Sequence, residues 1–169
     1  MLMIKYIILI MLLFCSSYIG ILISKKYQSR VSELKEMKSF LTIFSTKIKL
    51  TYEPIPKIFE ELGSKENSNI SYIFKTASEK MRDLPAGEAW IKSLENQNTN
   101  LKKEDIEVLK KLSNLLGKVD LEGQVSEIEL VDSFLDKQIE AAEEESKKNQ
   151  KMYKTLGVTV GLAMVIVLI

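Results

Sequence analysis

The sequence predicts an all-α protein, an antiparallel helical bundle of about six helices with a membrane helix at each chain end. Three observations carry this prediction. Apolar residues recur every three or four positions, as in Leu109, Leu112 and Leu116 and again in Leu121, Val125, Ile128, Val131 and Leu135. Only three prolines and seven glycines punctuate 169 residues of which 46% are hydrophobic, a balance that suits long helices and excludes a disordered or collagen-like chain. The runs 6–23 and 155–169 contain no charged residue at all.

Run 6–23, broken only by Ser16, Ser17 and Gly20, is long enough to cross the ~30 Å hydrocarbon layer as a helix. A cleaved signal peptide is the rival reading, but no A-x-A-like site follows and the apolar region exceeds the usual ~7–15 residues. A lipoprotein site at Cys15 is disfavoured by bulky Phe14 before it. Lys25, Lys26 and Arg30 follow the run while only Lys5 and the amino terminus precede it, so the positive-inside rule puts the middle of the chain in the cytoplasm. Nothing interrupts the helix before Pro54, and Leu34, Met37, Leu41, Phe44 and Ile48 hold a heptad-like spacing, predicting a stalk that becomes a core helix.

Pro54 and Pro56 stop that helix. A short helix over 57–62, ending at Gly63, and a polar turn over 64–71 are expected next, then a helix to about 83 with Tyr72, Ile73, Ala77, Lys80 and Met81 on one face. Pro85 suits the first turn of a helix whose packing face is Ala89, Trp90 and Leu94. After a loop over 96–100, a helix over 103–116 is predicted to stop at Gly117, free to take positive φ, and Asp120 to cap the last helix. That last helix should fold back on 103–116 as an antiparallel pair. It continues through EAAEEESKKNQK, where Glu140, Glu143 and Glu144 precede Lys147, Lys148 and Lys151 by three or four residues, a pattern of paired charges on a solvated face.

The apolar end, 155–169, spans only about 22 Å as a helix. Gly157 and Gly161 form a GxxxG that allows two membrane helices to approach closely. Hydropathy thus divides the chain into an N-terminal transmembrane helix (1–24), a cytoplasmic helical domain (25–154) and a C-terminal membrane segment (155–169).

Chemistry is nearly absent from the sequence. It has no histidine, one cysteine, no P-loop, no dinucleotide fingerprint and no nucleophile with an evident base, so an enzyme, a cofactor and a Cys/His metal site are not expected. A net charge of +1, with Arg30 and Arg82 the only arginines among 24 basic residues, argues against nucleic acid as a partner. Trp90 reads as core more readily than as a stacking platform. The polar turn 117–124 is either a plain connection or a partner contact, and residue chemistry alone favours the connection.

The C-terminal KNQKMYKTLGVTVGLAMVIVLI, the element AGEAWIKSL at 86–94 and the turn LGKVDLEGQ at 116–124 together resemble the stage III sporulation protein AB family of endospore-forming bacteria. That family is similar in turn to the cytoplasmic helical F domain of type II secretion and type IV pilus platform proteins. The resemblance implies a non-enzymatic structural component of the mother-cell complex that spans the forespore membranes, beside a secretion-type ATPase. It further implies the other membrane components of the channel, and lipid, as partners, with a homo-oligomer also open. By the same resemblance Gly117, Asp120, Gly123 and Gln124 become candidate partner-binding residues, beside Gly157 and Gly161 for membrane-helix packing. Ser113-Asn114 stand where the F-domain pattern carries Gly-Glu, and Leu50-Thr51 where a Tyr-Gly pair is expected. Two function classes stay open: an adaptor that couples a cytoplasmic ATPase to a membrane channel, and a tethered scaffold or oligomerisation module without a motor.

Overall fold

The computed structural model describes residues 2–51, 53–65, 67–95, 98–116 and 121–168, and among these it is entirely helical. Six α-helices follow in order: α1 Leu2–Thr51, α2 Ile55–Lys65, α3 Asn69–Lys80, α4 Ala86–Leu94, α5 Lys103–Lys110 and α6 Leu121–Leu168, with a 3-10 helix Lys111–Asn114 after α5. By packing, the chain forms two compact units. One is Met1–Val31 with Ala141–Ile169, and the other is Ser32–Glu140.

In the unit Ser32–Glu140 every stalk position predicted to be apolar is used. Leu34, Met37, Leu41, Phe44 and Ile48 of α1 are buried, and so is Phe40. Buried in the same unit are Ile58, Phe59 and Leu62 of α2, Ile70, Ile73, Phe74 and Ala77 of α3, Ala89, Trp90 and Leu94 of α4, and Ile128, Val131 and Leu135 of α6. The centre is aromatic. Phe44 and Phe74 each stand edge-on to Phe59 at 5.0 Å between centroids, and Trp90 lies 5.6 Å from Phe59 and 5.3 Å from Phe74. Each such side chain, fully buried, stabilises the fold by about 1.5–3 kcal/mol through area alone, and edge-to-face pairs add about 0.5–1.5 kcal/mol.

Local chemistry explains where the helices start. The Pro54 carbonyl accepts the amides of Lys57 and Ile58, so α2 begins at Ile55, with Pro56 in a first turn that needs no amide from it. The Ser68 hydroxyl oxygen accepts the Ser71 amide at 3.0 Å and caps α3, while its own proton goes to Glu36. The buried Asp105 carboxylate accepts the Lys102 amide at 2.8 Å and closes the first turn of α5.

Four expectations are corrected. Gly63 does not end α2: it lies inside the helix, because a Cβ there would come within 2.5 Å of the Lys75 amide nitrogen, so the glycine serves the close approach of α2 to α3. Tyr72 is 58% exposed, because the buried stripe of α3 runs through Ile70, Ile73, Phe74 and Ala77, and Tyr72 is rotated about 200° from Ile70. The helix expected over 103–116 is an α-helix only to Lys110 and tightens into the 3-10 helix, with the Leu115 and Leu116 amides both directed at the Leu112 carbonyl. That short helix touches α6 where Lys111 lies 4.2 Å from the Phe134 ring centroid, but the long antiparallel partner of α6 is α1, where Lys38 pairs with Asp132 (3.3 Å) and Asp136, and Lys49 with Glu129 (3.0 Å). Within the charged stretch of α6, Glu145 pairs with Arg30 at 2.8 Å.

Candidate functional site

Two loci follow from the sequence reading, and the structure gives each a different setting. The first is the glycine seam of the unit Met1–Val31 with Ala141–Ile169, where α1 and α6 run antiparallel. Gly157 is pressed against α1: a Cβ there would lie 3.0 Å from the Ser16 carbonyl and 3.3 Å from the Gly20 Cα. A Cβ on Gly20 would lie 2.5 Å from the Tyr153 carbonyl, so Gly20 does not tolerate a side chain without moving a helix, and Gly157 is held tightly against the facing backbone. Gly161 faces Ser16 and Leu13 at 3.3–3.4 Å. The Ser16 hydroxyl donates to the Gly157 carbonyl at 2.7 Å, tying the two backbones where they approach most closely.

Above this seam Tyr27 stacks on Tyr153 at 5.9 Å, and the Tyr27 phenol is pushed above its ordinary value, first by a hydrogen bond to Tyr153 and then by desolvation. The buried Arg30 guanidinium closes the unit on Glu145. Sequence reading found Gly157 and Gly161 but not their seat. The signal was there, since Ser16, Ser17 and Gly20 are the small residues that break a bulky run.

The second locus is the turn between α5 and α6. Gly117 and Asp120 lie outside the described residues, Gly123 is half-buried in the first turn of α6, and Gln124 follows it on the same helix. What holds the approach to this turn is α4. A Cβ on Gly87 would lie 2.2 Å from the Ser113 carbonyl oxygen, and the Trp90 indole donates to the Leu109 carbonyl at 2.8 Å. The element AGEAWIKSL thus grips the segment 109–113 at two points three residues apart on one face of α4. The buried Glu33 carboxylate accepts the Asn100 amide (2.7 Å), the Asn100 side chain (2.9 Å) and the Asn69 side chain (3.1 Å). It fixes the segment entering α5 against α1 and α3. Neither Gly87 nor Glu33 was singled out by sequence reasoning, because neither spacing nor hydropathy reports a close backbone approach or a carboxylate with partners far along the chain.

Among the described residues one helix, Tyr6–Thr51, is long and apolar enough to cross a membrane, with a window of mean hydropathy 2.5 of which only 17% is buried. A soluble core helix would be mostly buried. The class defined so far is therefore an all-helical bundle protein led by an apolar N-terminal helix that its own fold leaves largely uncovered. The model of the family "Stage III sporulation protein AB" matches residues 5–169, and the chain belongs to that family. It is 25% identical over 170 residues to stage III sporulation protein AB of Bacillus subtilis (strain 168), an alignment covering 98% of this chain and 99% of the relative. A solved structure of stage III sporulation protein AB superimposes with a TM-score of 0.64 at 22% identity, over 70% of this chain and 97% of that one, and establishes the fold.

Proposed function

We propose that this chain is a non-enzymatic, membrane-anchored component of a sporulation channel complex linking mother cell and forespore, and that it couples a cytoplasmic secretion-type ATPase to the membrane assembly. It resides in the mother-cell membrane around the forespore, with its helical domain in the cytoplasm. The observation that carries the reading is the pairing of two unlike units in a chain of the sporulation family. One is a bundle with a closed aromatic core, and the other exposes Ile7, Ile8, Met11, Phe14, Leu162 and Ile166, which only lipid or another membrane helix would cover.

Seated on α1 through Gly157 and Gly161, the C-terminal apolar segment enters the membrane as the second arm of a helical hairpin. Lysines flank both apolar segments on the side of the middle region, which sets the topology. Protease added to intact protoplasts should then leave the bundle uncut, and digestion from outside overturns that orientation.

The ATPase docks at the turn, on Gly117, Asp120, Gly123 and Gln124, presented by the grip of α4 on 109–113. The test is capture of the ATPase by full-length chain from detergent extract of sporulating cells. Recovery of the ATPase by wild type, and its loss on Gln124→Ala with an unchanged melting midpoint, supports the adaptor. A Gln124→Ala chain that still captures it removes Gln124 from the contact. No ATPase recovered with wild type favours a scaffold or oligomerisation module without a motor.

A further inference from the structure

The antiparallel pairing of the chain ends does something that neither end does alone. Gly20 lies against Gly157 and Tyr27 against Tyr153, so Lys25 and Lys26 of α1 come level with Lys151 of α6, between Lys154 on one side and Lys147 and Lys148 on the other. All six lysines are exposed, and among the described residues none makes an ion pair. The four lysines on α6 span the eight residues 147–154, a rise of about 10 Å, roughly one Debye length at physiological salt.

Charge order along α6 is also directional. Leaving the apolar segment, the chain presents Lys154, Lys151, Lys148 and Lys147 first and only then Glu145, Glu144 and Glu143, with Glu145 already taken by Arg30. Lys147, Lys151 and Lys154 share a face at spacings of four and three, an arrangement of like charges that works against an isolated helix. A layer of fixed negative charge immediately beside the apolar segment turns that repulsion into attraction.

We infer that these six lysines form one basic collar, assembled from both ends of the chain, that binds the phosphate headgroups of anionic phospholipid at the cytoplasmic face of the membrane. The inference rests on the membrane reading above and names the lipid chemistry that reading leaves open. Juxtamembrane clusters of four to eight lysines or arginines favour anionic lipid close to the membrane surface. A collar divided between the helices exists only when the glycine seam is formed, which links lipid preference to pairing of the chain ends.

The test uses the full chain in vesicles of equimolar phosphatidylglycerol and phosphatidylcholine, with a trace of either lipid carrying a spin label, and reads the motionally restricted fraction of each. Wild type should restrict phosphatidylglycerol over phosphatidylcholine by on the order of fivefold or more. Raising the salt to about 0.5 M should reduce this ratio, because the Debye length falls below the reach of the collar. Lys25→Gln/Lys26→Gln/Lys151→Gln/Lys154→Gln should bring it close to unity, and the same four positions changed to Arg should keep it. Tryptophan fluorescence and circular dichroism of both variants should match wild type, since every altered side chain is exposed. A ratio near unity in wild type overturns the inference and assigns the lysines to an acidic protein surface instead. A ratio unmoved by the glutamine variant overturns it too. If neither lipid shows a restricted fraction, the chain is not in the bilayer and the membrane reading itself falls.

Discussion

Gly87→Ala asks whether α4 sets the approach to the turn. The added Cβ would lie 2.2 Å from the Ser113 carbonyl oxygen and 3.2 Å from its carbon, where an ordinary C···O contact is about 3.3–3.6 Å. Relief demands more than 1 Å of movement, and the atoms in the way are backbone, with no flexible side chain to yield. Overpacking of this kind costs about 1–3 kcal/mol, against a gain of up to about 1 kcal/mol from replacing glycine within a helix. A net loss of about 1–2 kcal/mol is expected, and the displacement also stretches the nearby bond from Trp90 to the Leu109 carbonyl. Trp90 is the only tryptophan and is fully buried, so its fluorescence reports this unit alone in urea titrations of the full chain in mild detergent. With a urea slope of about 1–2 kcal/mol per molar, the midpoint should fall by about 1 M. A midpoint that is unmoved or raised means that helix propensity wins and that α4 does not press on Ser113, which would refute the grip described above.

Trp90→Phe should cost about 2–3 kcal/mol, since it opens space in the aromatic core and leaves the Leu109 carbonyl without its donor; circular dichroism in urea measures it. Glu33→Ala removes the shared acceptor of Asn100 and Asn69 and should cost about 2–3 kcal/mol, with faster hydrogen exchange at the Asn100 amide as its local signature. Unchanged exchange there would show that Glu33 does not hold the segment. The pair Lys47–Glu61 predicts a pH dependence: the hydrogen bond between them lowers the Glu61 carboxyl below 4.5 and raises the Lys47 ammonium above 10.5. The Glu61 contribution is complete above 4.5 and lost as pH falls through its depressed value, and the Lys47 contribution is complete below 10.5 and lost as pH rises through its raised one. Both groups are solvent-accessible, so the effect is small, and Lys47→Met should flatten the acid and the alkaline limbs of a thermal-melt series together. Limbs as steep as those of wild type would show the pair to be inert.

The sequence by itself determined the class and most of the core. Apolar spacing marked Leu34 through Ile48 and Ile128 through Leu135 as buried faces, and prolines and glycines located most helix boundaries, because both signals act within one or two turns of chain. It also marked the apolar N-terminal helix, since membrane-length hydropathy is a property of composition. Tertiary structure alone decided what each small residue is for. Gly63 resembles a stop and is a contact, because the backbone it admits belongs to Lys75, twelve residues on. Gly87 and Ser113, Glu33 and Asn100, and Gly20 and Gly157 are separated by 26, 67 and 137 residues respectively, and no periodicity within a helix encodes which distant backbone arrives. The same holds for the basic collar. Each lysine was visible in the chain, but their joining at one level depends on the register of two helices, and that register is fixed by the glycine seam.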